Sequence, residues 1–133
     1  MAVLVKAKDL RKLEHLEPPV NIGMGIDKNT CPGTPFTMGH PSVPPGGRNQ
    51  RHYHIHTAAG MYIMKGRLRM FIGPEWEMKV FDAEAGDFLY VPKGEIHGLQ
   101  NLSDTEPAEM VAMNSSSSSL DESGLVFVEP PWK

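Results

Sequence analysis

Gly86-Asp-Phe-Leu-Tyr-Val-Pro92-Lys-Gly94-Glu-Ile-His97-Gly-Leu-Gln-Asn101 is the stretch whose reading decides the fold. Its first half, Asp87 to Val91, is an apolar run suited to a strand. Pro92 stiffens the exit from that strand, and Gly86 and Gly94 suit tight turns with positive φ. A turn there lets the His97 imidazole fold back towards the sheet. Upstream, His52, His54 and His56 fall at alternate positions of Arg51 to Thr57, a segment that alternates around Tyr53 and Ile55 as a strand does. Side chains two apart on a strand share a face, roughly 6.8 Å apart along the chain. Two imidazoles at that separation can converge on one ion, whereas all three can do so only if the strand bends. Neutral imidazoles suit Fe, Mn, Zn, Ni or Cu, so one divalent transition metal ion of open identity is expected.

The rest of the chain fits an all-β frame around these segments. Its 133 residues suit one domain. Thirteen Gly and 12 Pro, spread along the whole chain, imply many short segments joined by tight turns. Strands are expected at Phe36 to His40, on either side of Lys65-Gly66 within Met61 to Ile72, and at Met78 to Phe81, Ala108 to Met113 and Leu125 to Val128. Met1 to Glu17 reads as a short helix with Leu10, Leu13 and Leu16 on one side, or as a strand at Val3 to Lys6. Pro18 to Pro35 is expected to be irregular and Ser115 to Ser119 a solvated loop. The domain reading is therefore an N-terminal extension, 1–34, packing on or swapping with a barrel, 35–133.

Composition excludes several classes. A single Cys rules out an internal disulfide framework and a Cys-rich zinc module. Thirteen Lys+Arg against 16 Asp+Glu give −3, which is not the basic footprint of a nucleic-acid binder. No window approaches the roughly 18 consecutive apolar residues of a membrane span, and the N-terminus lacks the apolar stretch of an export signal. A cytoplasmic protein with neither nucleic-acid nor membrane partners is the expectation.

At these two segments the chain resembles the cupins. Gly46, His52, His54 and Gly66 stand at the spacings of the first cupin motif, with Ala59 where that motif has Glu. Gly86, Pro92, Gly94, His97 and Asn101 match the second motif at every position. At ordinary Gly and Pro frequencies the Gly-x5-Pro-x-Gly core alone arises roughly once in 4,000 starting points. The resemblance implies a double-stranded β-helix, the jelly-roll cupin barrel, with a short N-terminal extension. It also implies that His52, His54 and His97 coordinate the ion inside the barrel. With Ala59 unable to ligate, three neutral ligands remain, and such a site leaves more positions open.

His56 has three open roles: a fourth ligand if the strand bulges near Thr57 to Gly60, a hydrogen-bonding or substrate contact, or a surface residue at the strand end. It is also the leading candidate general base, with Tyr53 a weaker one. Met61, Met70, Phe88, Met110 and His40 are candidates for a substrate pocket, although most Met here are expected to fill core gaps. The resemblance implies a metal-dependent enzyme acting on a small organic molecule, by dioxygenase-like or metal-assisted cyclase, isomerase or lyase chemistry. The alternative is a non-catalytic sensor or carrier for a small ligand or metal. Small cupins are often dimers with exchanged N-terminal segments, so a homodimer is expected.

Overall fold

A computed structural model describes residues 1–132 and resolves the chain into two antiparallel sheets facing each other. The strands are β1 (Arg11–Leu13), β2 (Asn21–Ile26), β3 (Phe36–Val43), β4 (His52–His54), β5 (Ala59–Lys65), β6 (Arg67–Ile72), β7 (Lys79–Glu84), β8 (Phe88–Val91), β9 (His97–Asn101), β10 (Ala108–Ser115) and β11 (Leu125–Phe127). One sheet has the order β1-β2-β3-β10-β5-β8 and the other β11-β4-β9-β6-β7. This is the jelly roll implied by the motifs.

Strand periodicity explains the layering. In β5, Ala59 and Ile63 are buried while Tyr62 and Met64 are exposed, and in β10, Ala108 and Met110 are buried. The inward residues of both sheets form one core with Leu13, Val20, Ile22, Met24, Val43, Leu68, Met70, Leu99 and Leu120. The expected turn between β5 and β6 is present at Gly66. Gly86 and Gly94 take positive φ (98° and 77°) as their motif positions require, and the Gly94 amide donates to the His54 carbonyl at 3.0 Å, tying the Pro-x-Gly turn to β4. Among the described residues, no helix is long and apolar enough to cross a membrane.

Three local expectations are corrected. The segment Pro18 to Pro35 is not irregular throughout, because it contains β2. Ile22 and Met24 point into the core while Gly23 and Gly25 lie against Leu10, so pairing with β3 overrides the weak strand preference of glycine. The first 17 residues form neither a helix nor a strand at Val3 to Lys6. They make a 3-10 turn at Ala7–Asp9 and then β1, which pairs with β2, so residues 11–26 extend the same sheet. The serine run is not a solvated loop, since Ser117 and Ser119 are buried. The Ser117 hydroxyl donates to the Ser119 carbonyl at 2.5 Å, and the Ser118 carbonyl accepts the Lys28 amide. Backbone groups of Ser119 satisfy the Ser117 hydroxyl on both its donor and acceptor sides, which helps accommodate a polar run inside.

Candidate metal centre

Register brings the histidines together. His52 on β4 pairs directly with His97 at the start of β9, and His54 lies two residues further along the same face of β4. Ring centroids are 5.1 Å apart for His52 and His54, 4.4 Å for His52 and His97, and 5.6 Å for His54 and His97. One ring nitrogen from each lies within 4.8 Å of the others, and all three residues are buried.

The other nitrogen of each ring is held from behind. His52 Nδ1 donates to the Gln50 carbonyl at 2.8 Å, and His97 Nδ1 to the Glu95 carbonyl at 2.9 Å. Both acceptors are carbonyls, so both rings carry their proton on Nδ1 and present the Nε2 lone pair inward. His54 Nδ1 is 2.7 Å from the hydroxyl of Ser123, a residue with no solvent exposure. His52 Nε2 is buried and has no hydrogen-bond partner among the described residues. Three inward ring nitrogens, one of them without a hydrogen-bond partner among the described residues, fit a transition metal ion.

Glu17, in the link between β1 and β2, also reaches this place. Its Oε1 lies 3.0 Å from His52 Nε2, and the side chain is 15% exposed. Asn49 Nδ2 donates to the same oxygen at 3.3 Å, while Asn49 Oδ1 accepts the Leu99 amide at 2.9 Å. Burial alone would raise the Glu17 carboxyl, but the charge of His52 beside it and the fields of His54 and His97 outweigh it and hold the group at about 2. Burial pushes the His97 ring down to about 4, helped by the charge of His52, and it also lowers His54. For His52 burial acts the same way, but the Glu17 carboxylate prevails and raises it.

Above the histidines is a cavity of about 40 Å³, lined on its polar side by Glu17, His54, His97 and Asn114, with Ala59 beside them. The remaining wall is apolar and includes Ile22, Met24, Met61, Leu99 and Met110. Asn114 donates to the Thr57 hydroxyl at 3.2 Å, so its amide is fixed. An ion placed here has a largely apolar enclosure with room for only a few water-sized groups.

The structure separates the expected site residues. Met61 and Met110 line the cavity. Met70 lies fully in the core and does not line it. Phe88 is 81% exposed, because in β8 it is Leu89 and Val91 that point inward. His40 also lies on the outer face, with Nε2 3.1 Å from Glu109 Oε1. Strand β4 ends at His54, and His56 is exposed beyond it, so it does not join the ring cluster. Tyr53 sits between two inward histidines and therefore points to the opposite face. No sequence signal pointed to Glu17, Asn49 or Ser123, because all three act through tertiary approach: Glu17 and Ser123 stand outside both motifs, and Asn49 occupies an unspecified spacer position of the first.

Comparison with known proteins agrees with this geometry. The family model described as a cupin domain matches residues 39–114. No curated protein matches the chain. Among solved structures, an oxalate oxidase aligns at 26% identity with a TM-score of 0.68, covering 86% of this chain and 61% of its own. Oxalate decarboxylase from Bacillus subtilis aligns at 21% identity and a TM-score of 0.77, over 96% of this chain and 33% of its own. The polyketide cyclase RemF from Streptomyces resistomycificus aligns at 16% identity and 0.74, over 98% and 87%. The chain thus spans about three fifths of the oxalate oxidase and a third of the decarboxylase.

Proposed function

The chain belongs to the cupin family, and from that premise we propose that it is a metal-dependent enzyme whose substrate is a small organic molecule bound through oxygen at the three-histidine centre. The observation that carries this reading is the convergence of three inward imidazole nitrogens whose opposite nitrogens are all hydrogen-bonded. A divalent ion supplies Lewis acidity to a coordinated oxygen, or a place for dioxygen chemistry, when it is bound. The chain's own residues do the rest. The carbonyls of Gln50 and Glu95 fix the orientation and tautomer of His52 and His97, and the Ser123 hydroxyl fixes the orientation of His54. Ile22, Met24, Leu99 and Met110 exclude bulk water and strengthen every electrostatic contact inside. Asn114 offers a neutral amide at the cavity wall.

The cavity volume favours a substrate of few non-hydrogen atoms, and the 26% likeness to an oxalate oxidase supports small organic acids as its class. The test begins with metal analysis of protein purified without chelator, beside a His52→Ala/His97→Ala variant. Turnover and oxygen uptake are then followed with small dicarboxylic and hydroxy acids, diketones, thiols and phenols. About one ion per chain, lost in the variant, and turnover of a panel member are expected. Failure to retain any divalent ion removes the metal reading, and an ion without turnover makes the protein a binding module.

The same reading includes a homodimer. Its support is the outer face of the six-stranded sheet, where exposed Phe88, Tyr90, Tyr62, Met113 and Met38 lie on neighbouring strands. Sedimentation showing a monomer at micromolar concentration would remove it.

A further inference from the structure

We propose that Glu17 is the fourth protein ligand of the centre, supplying from the β1–β2 link the carboxylate that the family pattern puts at Ala59. The inference rests on the reading of His52, His54 and His97 as a metal site. It starts from a separation. Two ligands at right angles about one ion, each roughly 2.1 Å from it, stand about 3.0 Å apart. Glu17 Oε1 and His52 Nε2 are 3.0 Å apart. That approach lacks hydrogen-bond alignment, since His52 Nε2 has no hydrogen-bond partner among the described residues. A carboxylate oxygen and an inward imidazole nitrogen at this distance are spaced as neighbouring donors around one ion.

The carboxylate is also built into place. Asn49 is buried, donates to Glu17 Oε1 and is itself locked by the Leu99 amide on β9, the strand that carries His97. Glu17 and Ala59 line the same cavity, so the donor missing from one wall is present on another. Charge gives the exchange its reason. Three neutral imidazoles leave the full charge of a divalent ion in an apolar enclosure, where uncompensated charge is costly. One carboxylate halves it.

A ligand on the β1–β2 link makes metal binding and the seating of that link one event. Chelator-competition titration with Mn²⁺ and with Zn²⁺ is therefore paired with hydrogen exchange of residues 14–20. The proteins are the wild type, Glu17→Gln, and Glu17→Ala/Ala59→Glu. Glu17→Gln keeps the size of the side chain and its contact with Asn49, and thermal unfolding of the metal-free variants checks that they fold. The expected result is a dissociation constant at least about tenfold higher in Glu17→Gln, with recovery in the double variant. In the wild type, metal slows exchange at 14–20, and in Glu17→Gln it does not. If the wild type binds through the histidines but Glu17→Gln binds within about twofold of it, and metal leaves exchange at 14–20 unchanged, Glu17 is not a ligand while the three-histidine reading stands. If the wild type takes up no metal, both readings fall.

Discussion

Replacing Ser123 by Ala removes one hydroxyl from the centre and leaves the backbone unchanged. The Ser123 carbonyl still accepts the His56 amide, and its own amide still donates to Leu120. What is lost is the 2.7 Å contact with His54 Nδ1, in a place where the serine has no exposure and His54 has 5%. Once an ion occupies Nε2, the ring proton must sit on Nδ1 and needs an acceptor. A buried N–H left without one costs about 1–3 kcal/mol. Loss of such an outer hydrogen bond typically weakens metal binding about 10- to 100-fold, or roughly 1.4–2.7 kcal/mol, so the two scales agree. Without metal the His54 ring is free to carry its proton on Nε2 instead, and most of the penalty falls on the bound form. Chelator-competition titration of Zn²⁺ should show a dissociation constant at least about tenfold higher. Thermal unfolding of the metal-free protein should fall by only a few degrees, about what 1 kcal/mol produces in a domain of this size. A metal affinity within about twofold of wild type, with equal destabilisation of both forms, would refute the reasoning and leave Ser123 a packing residue.

Three further outcomes are expected. Gly124→Ala should lower both stability and metal affinity. At φ +76° a Cβ would meet His56 Cδ2 at 2.9 Å and Ile55 Cβ at 3.0 Å, costing about 1–3 kcal/mol in urea unfolding and shifting neighbouring Ser123 away from His54. Arg11→Ala should move acid unfolding to higher pH, as followed by circular dichroism. Burial would raise the Asp27 carboxyl, but the Asn29 amide and the Arg11 guanidinium, 2.6 Å away, bring it below its ordinary 3.8. A lowered carboxyl adds stability that is present above the unfolded value and lost as pH falls through the folded one, so losing Arg11 narrows that window from below. Met110→Ala should destabilise by about 2–5 kcal/mol in denaturant titration, since the side chain is almost fully buried, and should enlarge the cavity.

The legible part of this protein is the part written in local chemistry. Alternation placed His52 and His54 on one face, and Gly86-x5-Pro92-x-Gly94 placed His97 after a turn that points it back. Each of these depends on residues within a few positions of one another. The illegible parts were settled by neighbours distant in the chain. Strand β2 carries two glycines and became a strand because β3 offered a ladder and the core accepted Ile22 and Met24. Ser117 is buried with its hydroxyl bonded to the carbonyl and amide of Ser119, which is buried beside it. Phe88 and His40 were misplaced by a choice of face, which a one-residue difference in strand parity decides.

Glu17 shows the same limit at the site itself. A motif search looks for a carboxylate a fixed number of residues after His54, and Ala59 ends that search. The requirement, however, is electrostatic and spatial rather than sequential: a divalent ion among neutral donors in an apolar cavity is relieved by an anion at coordination distance, from whichever strand brings one. Pairing of β1 and β2 at the edge of the sheet brings their link to the cavity, where Glu17 forms part of the wall, and Asn49, itself fixed to β9, holds the carboxylate there. The departure at Ala59 and the integration of residues 11–26 into the sheet are therefore two sides of one arrangement, in which the N-terminal strands contribute to the core and to the centre together.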